Sequence, residues 1–181
     1  QRHGDAARGR TVVAHLGSGA SVCAMRNGIS VDTSMGMTTL SGLPMGTRCG
    51  DLDPGAVLYL IKECGLSPKH VEHELYHASG LKALSGTNGE MKVITDSSDP
   101  DCAFAFEYFT LHIAQAIAGM AMSLGGMDAI VFTGGIGEHS EKVRSAVLDR
   151  LSFMPEHATL VIPTNEERVI AEQVYRIAAP L

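Results

Sequence analysis

Two glycine-bracketed turns, one arginine and one carboxylate have the types and spacing that suit phosphate chemistry. Gly17-Ser18-Gly19 joins two apolar runs, 12–16 and 20–25, the second closing at the hairpin signal Asn27-Gly28. Glycines on either side of a serine let the backbone approach a ligand and turn successive N–H groups into one concavity. His15 sits at the lip of that turn. Gly134-Gly135-Ile136-Gly137-Glu138 follows the all-apolar run Ala129-Ile130-Val131-Phe132 and leads into a helical pattern. That order brings backbone and a helix amino terminus towards a ribose or phosphate. Arg48 lies between Gly46 and Gly50, where a guanidinium can clamp phosphate oxygens or offset charge in a transition state. Glu166 opens the last helical pattern and is free to face a metal; carboxylate plus phosphate oxygens is the usual Mg2+ environment. Each feature has a plainer alternative: a hairpin turn, a strand-to-helix turn, an arginine paired with Asp51 or Asp53, a glutamate on a helix dipole.

The elements that must position these groups follow from periodicity. Extended runs at 12–16, 20–25 and 29–34 predict three antiparallel strands. A long loop, 35–51, carries Arg48, and long aperiodic loops tend to be functional. Asp53-Pro54 and Ser67-Pro68 each predict a helix start, with Gly65 and Gly80 as the stops. Residues 85–92, SGTNGEMK, have turn chemistry. Asp99-Pro100 opens the longest helix, with the stripe Phe106, Phe109, Ile113, Ile117, Met120, Leu124, and Gly125-Gly126 closes it. The run 129–132 predicts a strand buried on both faces, and 159–162 a second of that kind. Thr164 and Glu167 predict a capping box for the closing helix. The fold class is therefore α/β with a mixed sheet: three antiparallel strands, helices, then strand–helix units. The expected organisation is a short basic arm, 1–10, followed by a single domain, 11–181.

Composition excludes several classes. A net charge of −6 argues against a nucleic-acid footprint, which needs a basic stripe. The apolar stretch 103–124 contains Glu107, His112 and Gln115 and predicts a buried helix, not a membrane span. Cys23, Cys49, Cys64 and Cys102 lack disulfide or zinc spacing and fit a reducing, cytoplasmic compartment. Neither G-x-G-x-x-G nor a P-loop is present. A nicotinamide-dependent oxidoreductase would need an acid at the end of the following strand, where Ile162-Pro163-Thr164 stands. The histidines at 70, 73 and 77 fall on a polar face and are expected to be solvated.

The segments VVAHLGSGASVCAMRNG (12–28), SVDTSMGMTTLSGLPMGTRCGDLDPG (30–55), DAIVFTGGIGEHS (128–140) and VIPTNEE (161–167) together resemble the carboxy-terminal domain of the acetate kinase family. They occur in the family's order and cover nearly the whole chain, 69–101 more loosely. The resemblance implies a ribonuclease H-like, actin-like ATPase domain. It implies that His15, Leu16, Gly17, Ser18 and Gly19 lie on the ATP phosphates, and that Arg48 stabilises the transition state. Gly135, Ile136, Gly137, Glu138 and His139 would belong to the adenosine site, and Glu166 would be the carboxylate linked to Mg2+. Glu90, Met91 and Lys92 stand in the adenine-side segment, where the family tends to have Asp-Phe-Arg. Ser18 stands where the family has asparagine, and His139 likewise. The family's acceptor pocket lies in an amino-terminal domain outside this sequence, and the region 151–159 is shorter than the family's.

The resemblance implies an acetate kinase-type phosphotransferase. ATP and a short carboxylate such as acetate would give ADP and an acyl phosphate, with this chain supplying the nucleotide half and little or no activity expected of it alone. It also implies a homodimer, with the helix 104–124 as a candidate surface. The alternatives are a non-catalytic nucleotide-binding or dimerisation module, or the equivalent half of a propionate or butyrate kinase.

Overall fold

The computed structural model describes residues 8–178, apart from the side chains of 166, 169, 170, 172, 173 and 178. One five-stranded sheet carries the domain, in the order β3-β2-β1-β4-β5. Its first three strands, β1 (Arg10–Leu16), β2 (Ala20–Arg26) and β3 (Ile29–Thr33), form the expected antiparallel meander. Asn27 takes positive φ, 53°, in the β2–β3 turn, as the Asn-Gly dipeptide requires. β4 (Ala129–Thr133) and β5 (Ala158–Val161) then add in parallel on the other side of β1. The mixed sheet expected from sequence is what the chain forms.

The sheet's core face follows from strand alternation. Val12, Ala14 and Leu16 of β1 and Val22 and Ala24 of β2 are fully buried, while the residues between them are half-buried or exposed. They face α5 (Pro100–Leu124), whose stripe Phe109, Ile113, Ile117 and Leu124 is buried to 2% exposure or less. Removing such a side chain from water is worth about 1.5–3 kcal/mol, so this seam is the main adhesive of the domain. Asp99 caps α5 by accepting from Asp101 N at 2.8 Å, and Gly125 ends it in the left-handed conformation. Among the described residues no helix is long and apolar enough to cross a membrane.

Shorter helices shape the ends of the sheet. α1 (Pro54–Lys62), α2 (Pro68–His77), α3 (Gly80–Ser85) and α4 (Met91–Asp96) lie between β3 and α5; α6 (Gly134–His139) and α7 (Glu141–Arg150) follow β4. α8 (Glu166–Ala178) closes the described chain.

Six local expectations are corrected. Gly80 does not end α2; Ala78 caps it, and Gly80 opens α3 because its positive φ turns the chain against the backbone of Met45 and Arg48. Residues 85–92 are turn only as far as Glu90, after which Met91 begins α4 with Met91 and Ile94 buried. The Gly134–His139 segment is itself a short helix. β5 is not buried on both faces: it is an edge strand with only Leu160 half-buried, since its sole partner is β4. The cap of α8 is Asn165, whose Oδ1 accepts from Arg168 N at 3.1 Å, because the Thr164 hydroxyl is engaged elsewhere. β1 also reaches one residue into the expected arm: Arg10 N donates to Asp128 Oδ2 at 2.8 Å and its guanidinium clasps the same carboxylate.

Candidate active site

The carboxyl end of β1 and the turn after β4 meet at one end of the sheet, as parallel neighbours joined by His15↔Thr133 pairing must. A cavity of about 770 Å³ opens there. Five stretches of chain wall it: Gly17 and Ser18, the loop 46–48, Leu81, the turn and helix start 88–92 with Thr95, and Gly135, Ile136, His139 and Ser140.

Of the residues expected at the site, the cavity collects Gly17, Ser18, Arg48, Glu90, Met91, Lys92, Gly135, Ile136 and His139. His15, Leu16, Gly19, Gly137 and Glu138 are not on its wall. The Leu16 side chain belongs to the core, fully buried, and Gly137 packs beneath it against Phe132. His15 is half-buried on β1 behind the turn, its Nε2 close to where a Cβ on Gly17 would stand. The side chain of Glu166 lies outside the described residues; its backbone begins α8.

The glycine-serine turn is tighter than an open cradle. Gly17 N donates to Gly19 O at 2.8 Å, so that first N–H is already used and the exposed Ser18 becomes the tip facing the cavity. A side chain on Gly17 would point towards the Gly135 backbone N, 4.0 Å from its Cβ, so the two glycine turns face each other.

Arg48 lines the cavity and pairs with no carboxylate among the described residues. Its Nη1 donates to Thr39 O at 3.1 Å and rests on Met45 Sδ at 3.3 Å. Asp51 instead accepts from Gly42 N, and Asp53 caps α1 through Gly55 N. The Gly19 backbone lies alongside: a Cβ there would be 3.6 Å from Nη1. Burial pushes the neighbouring Cys49 thiol up.

The loop bearing Arg48 is bolted to its surroundings by backbone bonds. Lys82 N donates to Gly46 O at 2.8 Å, Leu81 N to Met45 O at 2.9 Å, and Ser79 N to Thr47 O at 3.0 Å. Gly89, at φ +82°, presses its α-carbon onto Gly46 O so closely that any side chain would collide with it.

Glu138 has a structural task. Its Oε1 accepts from Thr164 N at 2.8 Å, Thr164 Oγ1 at 2.8 Å and Gly134 N at 3.1 Å. These bonds, the Thr164 amide first, hold the carboxyl below the usual carboxylate range. The same cluster ties the start of the β5–α8 connection to the Gly134 turn. Sequence reasoning missed Gly46, Thr47, Leu81, Asn88, Gly89, Thr95 and Ser140 as cavity residues. A signal existed for one of them: Asn88-Gly89 is a turn dipeptide, and the Asn88 side chain accepts from Glu90 N at 3.0 Å to set the wall.

The profile of the acetokinase family matches residues 4–157. The chain belongs to the acetokinase family. Among curated relatives, an acetate kinase of Nitrobacter hamburgensis is 44% identical over 92% of this chain and 46% of its own length, and one of Rhodopseudomonas palustris is 43% identical over 95% and 49%. Of solved structures, Porphyromonas gingivalis acetate kinase superposes with a TM-score of 0.88 at 32% identity over 94% of this chain and 49% of that one. A propionate kinase from Francisella tularensis gives 0.86 at 34% over 92% and 49%. This acetokinase-family chain thus has the actin-like ATPase fold, and it spans about half the length of the curated relatives it matches. The match to a Neisseria meningitidis relative extends over 199 positions, more than the chain's 181 residues, so that relative carries stretches which this family member lacks.

Proposed function

We propose that this chain is the nucleotide half of an acetate kinase-type phosphotransferase, in which ATP and a short carboxylate exchange a phosphoryl group to give ADP and an acyl phosphate. The observation that carries the reading is the cavity of about 770 Å³ into which Ser18, Arg48 and the Gly135 turn all open. Its size and mixed lining suit a nucleoside triphosphate. The phosphates lie against the Ser18 tip and the Gly135 backbone, with the base towards Met91, Ile136 and His139.

Phosphoryl transfer asks the protein mainly for positioning and charge neutralisation. Arg48, anchored by Thr39 O and paired with no carboxylate among the described residues, offers its remaining guanidinium N–H groups to the transferring oxygens. Among the described residues no three His, Cys, Asp or Glu side chains converge on a metal. Mg2+ asks for less, since it binds through one or two carboxylates plus substrate phosphates and waters. We assign that role to Glu166. The Thr164–Gly134 bond, 2.9 Å, places the chain just before it beside the glycine turn. When bound, Mg2+ supplies neutralisation of phosphate charge.

The carboxylate acceptor and its pocket belong to the half of the relatives that this chain does not span. We assign self-association to the exposed apolar residues of α5 and β3, Phe104, Leu111, Met122, Ile29 and Val31, which would give a homodimer. Free thiols at all four cysteines support a reducing cytoplasmic setting.

Titration calorimetry of the chain with Mg·ATP tests the nucleotide half: one binding event is expected, and none would sink the reading. Supplying the amino-terminal half of a relative and assaying acyl phosphate from acetate, propionate and butyrate then tests the reaction. Nucleotide binding without acyl phosphate formation would favour the non-catalytic alternative.

A further inference from the structure

The last turns of α2 carry a feature that phosphoryl transfer leaves unused. His73 and His77 are four residues apart and therefore stacked on one face of the helix, both exposed, with ring centroids 5.3 Å apart and planes at 48°. A metal bound through one nitrogen of each ring at about 2.0–2.1 Å, with a near-tetrahedral angle between them, holds the ring centres about 5 Å apart. The two imidazoles thus stand at chelating separation already. His70, one turn earlier, is occupied differently: its Nε2 lies 3.4 Å from Glu74 Oε1.

We propose that His73 and His77 form a two-histidine site for a borderline transition-metal ion of the Zn2+, Ni2+ or Cu2+ class, with water completing the coordination. Imidazole nitrogen selects such ions over Mg2+ and Ca2+, which prefer oxygen. Two donors match the surroundings, because no third His, Cys, Asp or Glu among the described residues converges on the pair.

The site has a structural reach. An ion bridging positions four apart pins the last turn of a ten-residue helix. The Arg48 loop hangs on that turn: Cys49 N donates to Leu75 O at 3.1 Å, Thr47 Oγ1 to Tyr76 O at 2.8 Å, and Ser79 N to Thr47 O at 3.0 Å. Lys82 Nζ also donates to His77 O, at 3.2 Å. Occupancy of the pair therefore steadies the segment that presents Arg48 to the cavity.

The test is calorimetric titration of Ni2+ into the chain with Mg2+ in excess, followed by hydrogen exchange of the Cys49 and Ser79 amides. One equivalent of Ni2+ should bind, Cu2+ should bind more tightly, and occupancy should slow exchange at both amides. His73→Ala and His77→Ala should each weaken binding at least tenfold. Alanine is the best helix former, so both variants keep α2. His70→Ala and His112→Ala should leave affinity unchanged. No stoichiometric binding, or binding untouched by both α2 substitutions, would overturn the site. Binding with unchanged exchange at Cys49 and Ser79 would overturn its link to the Arg48 loop.

Discussion

Glu138 and Thr164, 26 residues apart, are joined by two bonds of 2.8 Å, from the Thr164 amide and from its hydroxyl to Glu138 Oε1. A glutamate in a glycine-rich turn invites assignment as a ligand contact, yet Glu138 is not on the cavity wall and its carboxylate ties the turn to Thr164 in the β5–α8 connection. Glu138→Gln keeps the shape but surrenders the charge in these bonds, and Glu138→Ala removes them. The melting temperature should fall in the order wild type, Gln, Ala, measured by calorimetry. Mg·ATP affinity should fall with it, since the Gly134 turn and the approach to Glu166 lose their common anchor. Weakened ATP binding with an unchanged melting temperature would return Glu138 to a direct ligand role.

Arg48 is the residue on which transfer should depend most. With the amino-terminal half of a relative supplied, Arg48→Ala should lower kcat by on the order of 10³, in the manner of arginine fingers. Arg48→Lys should rescue little, because a lysine cannot hold Thr39 O and a phosphoryl oxygen at once in planar geometry. Stopped turnover with intact Mg·ATP binding is the expected pattern; an unchanged kcat would remove Arg48 from the mechanism.

Gly89 offers a test of the wall that sequence reasoning missed. Its φ of +82° and its contact with Gly46 O leave no room for a side chain. Gly89→Ala should cost on the order of 1–3 kcal/mol in chemical denaturation and weaken nucleotide binding as the Gly46 loop shifts. Gly65→Ala makes the control: the φ is similar, +68°, but the space around it is open, so only the backbone strain of about 1 kcal/mol is expected.

Acid sensitivity should centre on the Arg10–Asp128 clasp. The Arg10 guanidinium, and then its amide, pull the Asp128 carboxyl down from 3.8 to about 2. A carboxyl lowered in the folded state stabilises above its unfolded value and loses that contribution as pH falls through the folded one. The contribution is therefore complete above about 3.8 and vanishes near 2. Denaturation of wild type and Asp128→Asn should differ at pH 7 and converge as the pH approaches 2. A constant difference would show that the clasp matters through shape alone.

Long periodic elements were legible from sequence, and short ones were not. The α5 stripe repeats over about five turns and left no ambiguity, and the parallel seam was announced by the apolar run 129–132. α4 and α6 have six residues each, too few for a periodic signal, and glycine in α6 speaks against helix. β5 read as buried because composition reports what a strand could bury, while exposure depends on what lies beside it. The site divided along the same line. Residues set by local motif, Ser18, Arg48 and Gly135, reached the cavity. Glu138 and Leu16 sit in those same motifs, but one faces Thr164 and the other the core, and only tertiary pairing decides that. Thr164 misled in the same way: Glu138 recruits its hydroxyl, leaving Asn165 to cap α8.

The seam between β1 and β4 also sets a timetable. Arg10 meets Asp128 across 118 positions, so the first strand must wait for nearly two-thirds of the chain before its central neighbour exists. A meander and five helices can form locally in that interval, but the cavity cannot, because one of its walls begins only at Gly135. Closing so long a loop is entropically slow. The cavity is thus complete only once β4 has docked beside β1 and brought the Gly135 turn with it.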